Sequence, residues 1–302
     1  MSIYWRGKDR TPPPPHAQFF LFPFAGTPVA LMHRRMALPS PTQPIRVIKR
    51  SDTPSKEEWQ RLVEQAMQDI ERGALEKVVL ARETTLVLES APEPAAVAAA
   101  LKSTGAAVFC IEREGEAFVG ATPERLFHRK GRQLHTEAMA GTRPLGDSFS
   151  EKEEREFQFV PTYIEAQLQP LCHTFAFAPV NLHQTSHVQH LVSRGAGTLK
   201  ETVSDSDLLT ALHPTPALCG TPKEAAFRWL EKHEPFARCW YGGVIGWTSG
   251  EESDWMVAIR SCKIEGNIAR LYAGTGLVAG SNANAEWDEL EAKIALYSHV
   301  FL

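Results

Sequence analysis

The chain has 302 residues, 43% of them apolar and 23% charged, a globular composition with material for one large core or two fused smaller ones. Its 32 Lys and Arg against 36 Asp and Glu leave a net charge of −4, and no basic run exceeds Arg34-Arg35, which argues against nucleic acid or an anionic membrane as a partner. No window approaches the roughly 18 apolar residues of a membrane span and the N-terminus lacks a signal-peptide core, so a cytoplasmic protein is expected. The five widely spaced cysteines, without a C-x-x-C pair, read as buried small hydrophobes in a reducing compartment.

In chain order, prolines at 12–15 and 39–44 punctuate connectors around an apolar run at 19–24 that reads as a strand. Trp59, Leu62, Val63, Ala66, Met67 and Ile70 recur at helical spacing, which predicts a helix over 55–72, opened by a Ser55/Glu58 capping box and stopped by Gly73. A β-rich block follows: KVVLARETTLVL at 77–88, then AVFCIE and AFVGAT as a hairpin around the turn 113–116. Residues 151–172 read as a helix interrupted by Pro161 and Pro170. Helices are expected near 205–212 and 222–232, the second with Thr221, Pro222 and Glu224 at N-cap, N1 and N3. From Tyr241 the pattern is a meander of YGGVIGW, DWMVAIRSCKI and IARLYAGTG, and the chain closes with a helix over 283–301. Strands grouped with hairpin turns, and helices between the groups, predict an α+β fold with mainly antiparallel sheets.

Chemistry is suggested first by the last helix. Glu286, Glu289 and Lys293 stand at i, i+3 and i+7, so they project from nearly one face, with Trp287, Leu290 and Ile294 on another. Two carboxylates one turn apart suit an oxygen-loving cation such as Mg²⁺, which takes one or two protein carboxylates plus water and anionic substrate. Such a trio is also a common salt-bridged solvent face. The preceding GTGLVAGS, 274–281, is a glycine-rich passage from strand to helix whose N–H groups can bind an anion. EKEERE at 151–156 reads as a solvated helix face, Glu156 excepted. His183, His187 and His190 lack an acidic or cysteine neighbour to complete a zinc site.

HTEAMAGTRP (135–144), SEKEERE (150–156), HLVSRGAGTL (190–199), LHPTPALCGTPKEAA (212–226), YGGVIGW with VAIRSCKI (241–264), and YAGTGLVAGS with EWDELEAK (272–293) resemble, in order and spacing, the chorismate-utilising enzymes. The resemblance runs from about Lys77 to the C-terminus. It implies a single chorismate-binding domain over 1–302, with 77–302 as its catalytic portion and 1–54 as a short extension contributing strands. The implied fold is an α+β sandwich of two mainly antiparallel sheets flanked by helices, like anthranilate synthase component I.

Residue by residue, the resemblance implies that Glu156 and Glu289 hold Mg²⁺, with Glu286 supporting through water, and that the ion takes the ring carboxylate of chorismate. Arg260 and Lys293 resemble the cations that grip a substrate carboxylate. Gly274 and Gly276 would supply N–H donors, Gly141 and Thr142 would line the ring site, and His190 stands where the family has an active-site histidine. Lys77 matches the lysine with which the water-using branch deprotonates its nucleophile, where the ammonia-using branch has glutamine. Glu124 matches the general acid for the departing C4 hydroxyl. Ala140 replaces the lysine that would attack the ring, and Ala217-Leu218 makes an apolar wall where the amine-using branch has Gly-Thr.

Together these imply conversion of chorismate to isochorismate by a monomer or homodimer, for menaquinone or a siderophore. Salicylate synthesis and a degenerate chorismate-binding protein are the alternatives. The chain departs from the family at Phe157, where histidine is usual, and at Pro161. The stretch before Lys77 is also far shorter than in most relatives, which implies a sheet trimmed or completed by a partner chain.

Overall fold

The structure, a computed structural model, describes residues 2–9, 12–26, 29–31, 34–35, 37–40, 43–184 and 188–302. Among these residues two sheets of nine strands each carry the fold, and every strand pairing is antiparallel except that of Ser2–Arg6 with Arg34–Arg35. The first sheet runs Gly220–Thr221, Lys77–Leu88, Ile268–Leu277, Ser261–Glu265, Glu116–Thr122, Ala107–Arg113, Ser2–Arg6, Arg34–Arg35, with Val47–Thr53 also on Lys77–Leu88. The second runs Cys172–Phe177, Val188–Leu199, Gln133–Pro144, Arg125–Lys130, Glu252–Val257, Val244–Thr248, Gln18–Phe22, Val29–Leu31, with Asn181–Gln184 also on Val188–Leu199. Helices flank them, as expected of an α+β sandwich. Ala283–Ile294 packs on Ile268–Leu277 and against the helix Lys56–Glu71, while Glu151–Leu168 lies on Gln133–Pro144.

The long strand Lys77–Leu88 shows why the first sheet is central. Its first six residues are all buried, and its remainder alternates between buried and half-buried, so one end lies inside the sandwich and the other on its flank. Arg82 is tolerated there because its guanidinium lies over the Trp287 ring at 4.2 Å and meets Glu291 at 2.9 Å and Asp52 at 3.4 Å. Leu80, Val119, Phe127, Leu134, Trp255 and Leu290 belong to one contiguous core reaching both sheets and the last helix.

Two places where the chain passes from one sheet to the other decide where the site lies. Pro123 and Glu124 connect Glu116–Thr122 in the first sheet to Arg125–Lys130 in the second, and Ala258–Arg260 connect Glu252–Val257 back to Ser261–Glu265. The crossings touch: the Val257 N–H donates to the Glu124 carbonyl and the Ala121 N–H to the Arg260 carbonyl, both at 3.1 Å. The meander expected over 254–264 is therefore corrected. DWMVAIRSCKI is two strands in different sheets, broken where Arg260 takes a left-handed φ of 50°.

Four smaller expectations also change. Pro161 lies inside an unbroken helix, Glu151–Leu168, and Pro170 falls beyond its end, because the missing Pro161 N–H costs only one intrahelical bond on a helix packed along a sheet. Thr221 is not an N-cap but pairs with Lys77 at the sheet edge, and the helix Lys223–His233 starts from Pro222. The last α-helix, Ala283–Ile294, tightens to a 3₁₀ turn over Ala295–His299. Four cysteines are buried as expected, but Cys239 is exposed, at φ 50°. The Ser55 capping box, the 113–116 hairpin turn and the helix Asp205–Leu212 form as predicted. Strands 2–6 and 18–22 of the N-terminal stretch join the two sheets, one in each.

Candidate active site

A cleft of about 660 Å³ opens beside the two crossings. Gly141, Thr142, His190, Ala217, Leu218, Arg260, Gly274, Gly276 and Lys293 all face it, together with Glu124 and Glu156. These residues are scattered over 170 positions in the chain, and the fold brings them to one surface. Lys77, Glu286 and Glu289 stand against this lining: Lys77 beside Gly276, Glu289 on Lys293, and Glu286 next to Glu289 through Thr275.

Glycine explains how Lys77 reaches that lining. Gly276 pairs with Val79 on the strand Ile268–Leu277, and a Cβ there would sit 2.3 Å from Glu156 Oε1 and 2.7 Å from Lys77 Cε. Only a residue without a side chain lets Lys77 and Glu156 meet beside the strand. Lys77 is wholly buried, its ammonium 3.4 Å from Glu156 Oε1 and donating to the Glu156 carbonyl at 3.4 Å. Burial pushes its pKa down, against the pull of Glu156 and with help from Lys293.

Glu124 stands on the cleft wall, 5% exposed. Burial, followed by the charge of Glu137, pushes its pKa up to about 7, although Lys77, Lys8 and Lys293 oppose this. Most of it is therefore protonated below neutrality, which is the state a proton donor needs.

Three lysines partner the three candidate metal carboxylates. Beside the Lys77–Glu156 pair, Lys152 Nζ lies 2.6 Å from Glu286 Oε1, and Lys293 Nζ donates to Glu289 Oε1 at 2.6 Å and to the Gly274 carbonyl at 2.8 Å. Thr275 lies between Glu286 and Glu289, with its hydroxyl in reach of both carboxylates. Burial and the charge of Glu289 raise the pKa of Glu286; burial also acts on Glu289, but Lys293, Lys152 and the Thr275 hydroxyl together hold that carboxyl low. Among the described residues no three acidic, histidine or cysteine side chains converge to enclose an ion by themselves. Glu156 Oε2 is nevertheless buried with no hydrogen-bond partner among those residues, next to the side-chain-free Gly276. A bare carboxylate oxygen at a cleft wall fits a hard cation that completes its shell with water and substrate.

Arg260 and His190 form a second unit. Arg260 Nη2 lies 3.1 Å from His190 Nε2, and His190 Nδ1 lies 3.2 Å from Thr142 Oγ1. Burial, and then Arg260 itself, hold the His190 pKa well below the ordinary value, so the ring is neutral. Since arginine only donates, Nε2 accepts and the ring proton resides on Nδ1. Burial lowers the Arg260 pKa to about 10, which leaves it charged at neutral pH. Thr142 reaches His190 through a bulge at Gly141, whose φ of 66° shifts the register between Ala140 and Thr142. The Tyr297 hydroxyl donates to the Arg260 carbonyl at 3.0 Å and helps fix the crossing. His183 stands directly across from His190, whose Nε2 is engaged by Arg260, and His187 lies outside the described residues.

Reasoning from sequence missed Arg238 and Tyr241 on the cleft wall. Arg238 is a girder. It takes both Glu234 carboxylate oxygens, at 2.6 and 2.7 Å, and donates to the carbonyls of Val79 and Leu218, at 2.6 and 2.8 Å, tying the Lys77 strand to the 217–218 wall. The Glu234/Arg238 spacing in EPFAR was the available signal, but it fell in a stretch without helical pattern.

A chorismate binding enzyme family profile matches residues 29–300. Isochorismate synthase 2, chloroplastic, of Arabidopsis thaliana is 40% identical over 271 residues, covering 83% of this chain and 48% of that protein. Isochorismate synthase MenF of Escherichia coli is 38% identical over 257 residues, covering 80% and 59%. The chain thus spans about half the length of these curated relatives. Among solved structures, MenF, the menaquinone-specific isochorismate synthase from Escherichia coli, is similar at a TM-score of 0.81 and 35% identity, over 87% of this chain and 65% of that one. Anthranilate synthase component I from Streptococcus pneumoniae, at 22% identity and a TM-score of 0.75 over 85% and 60%, shares the fold.

Proposed function

This chain belongs to the chorismate binding enzyme family, and from that premise we propose that it converts chorismate to isochorismate. The observation that carries this reading is the presence at one site of a wholly buried lysine, Lys77, and a cleft-wall carboxylic acid, Glu124, whose proton affinity is raised to about 7. A base with lowered affinity and an acid with raised affinity suit a reaction that takes a proton from one oxygen and gives one to another.

In the proposed reaction Lys77 removes a proton from water as its oxygen bonds to ring C2. The ring double bonds shift, the C4–oxygen bond breaks, and the departing hydroxyl takes the Glu124 proton and leaves as water. Mass is unchanged. Arg260, charged and held by neutral His190, grips one substrate carboxylate with Lys293 nearby, and the Gly274–Gly276 strand edge offers N–H donors. Gly141 and Thr142 line the ring, and Ala217 with Leu218 gives an apolar wall that keeps amines unassisted. Glu156 and Glu289 would hold Mg²⁺, with Glu286 through water; the ion would supply charge to anchor the ring carboxylate. Residues 1–302 act in this reading as one domain, in the cytoplasm, as monomer or homodimer.

The test is product analysis. Purified protein, chorismate and Mg²⁺ should yield an isomer of unchanged mass by chromatography and mass spectrometry. Pyruvate release with fluorescent salicylate would select salicylate synthesis instead, and binding without turnover would sink the enzyme reading.

A further inference from the structure

Glu137 is a buried carboxylate that this reaction does not use. It lies on Gln133–Pro144 opposite Arg194, 7% exposed, and takes two cations: Lys8 donates to Oε2, and Arg194 Nε lies 3.6 Å from Oε1. Lys8 belongs to the turn after the strand Ser2–Arg6. The next residue of that turn, Asp9, accepts from Arg125 Nη2 at 2.7 Å, and Arg125 also donates to Asp254 at 2.8 Å. Arg125 directly follows Glu124. Two adjacent residues of one turn therefore fasten Glu137 and the Glu124 crossing.

The same turn borders the cleft. Lys8 and His183 line a second cavity of about 780 Å³, and Pro123 and Arg260 are walls of both cavities. The charged and titratable groups around Glu137 are thus Lys8 from the turn, Arg194 and His183 from the neighbouring strands, and Glu124 from the crossing. Glu137 is held between two cations, and a negative charge there would oppose ionisation of a buried carboxyl near it.

We propose that Glu137 and the Lys8-Asp9 turn form a charged clip that positions Glu124 for the substrate hydroxyl. This rests on the reading of Glu124 as general acid, with Glu137 as a positioning residue. After burial, Glu137 is the largest influence raising the proton affinity of Glu124, and Lys8 acts in the opposite sense.

Glu137→Gln keeps the shape and the acceptor for Lys8 but removes the charge. The carbonyl stretch of protonated Glu124, identified by its loss in Glu124→Gln, is followed by infrared spectroscopy against pH in the full chain. Its midpoint should fall by roughly one pH unit in Glu137→Gln and return in Glu137→Asp, as expected for removing and restoring a like charge. Lys8→Gln, in the turn and 16% exposed, should move it upward. Midpoints that stay at the wild-type value in both variants overturn the clip, whatever happens to the rate. The alkaline limb of the kcat profile is read separately: if the midpoint moves and the limb does not, the clip stands and the general-acid reading of Glu124 falls.

Discussion

The ammonium of Lys77 and the carboxylate of Glu156 meet at 3.4 Å behind a glycine, out of contact with bulk water. A lysine so placed has no role as a solubilising group, because it never reaches the surface. Replacing it by glutamine, a near-isostere without a basic nitrogen, should lower kcat by roughly 10² to 10⁴ while substrate affinity changes little. Steady-state kinetics with circular dichroism of the folded variant checks this; a threefold effect would remove Lys77 from the chemistry.

Gly276→Ala is expected to be severe for a steric reason. The new Cβ would fall 2.3 Å from Glu156 Oε1 and 2.7 Å from Lys77 Cε, so both must retreat. Mg²⁺ affinity measured by calorimetry should fall at least tenfold, alongside activity. Gly280→Ala, where a Cβ meets nothing within 4 Å although φ is 91°, should leave Mg²⁺ affinity unaltered and cost only backbone strain.

Glu124 makes stability depend on pH with a definite sign. Its folded proton affinity, about 7, exceeds the ordinary 4.5, so between those values the folded chain holds more protons than the unfolded one and stability falls as pH rises. The difference is on the order of 3 kcal/mol, fully lost above about pH 7. Glu124→Gln should flatten that slope in denaturant titrations at pH 5 and pH 8 while abolishing turnover. The wild-type rate should decline tenfold per pH unit above about 7, since the proton donor is then spent.

His190 is expected to act on binding. Neutral and accepting from Arg260 at 3.1 Å, it holds the guanidinium without exchanging protons with substrate. His190→Ala should raise KM about tenfold, the loss typical of one hydrogen bond to a charged group, with a smaller effect on kcat and no change in the pH profile. A changed profile would instead make His190 an acid or base.

Much of this site was legible as short linear motifs. Glu286, Glu289 and Lys293 share a helix face by arithmetic; the glycines of YAGTG read only as N–H donors, and the room that Gly276 leaves for the Lys77–Glu156 contact emerged with the fold. Illegible were features that depend on chain crossings. VAIRSCKI alternates like one strand, and nothing local shows that Ile259-Arg260 turn from one sheet to the other; that requires the partner strands Glu116–Thr122 and Arg125–Lys130 on either side. Lys8 carried no signal either, because its partner Glu137 lies 129 positions away. Pro161 misled because a lost backbone bond is local, whereas the packing of its helix along Gln133–Pro144 is not.

The touching passages at 123–124 and 258–260 have a consequence for how this protein can fail. Each puts a ligand-facing side chain at a seam instead of within either layer, so neither layer alone can recognise anything. Loosening the seam by a fraction of an ångström would separate proton donor from anchor while leaving both sheets intact, and loss of recognition would precede loss of secondary structure on heating. Occupancy of the cleft, conversely, staples the two layers together.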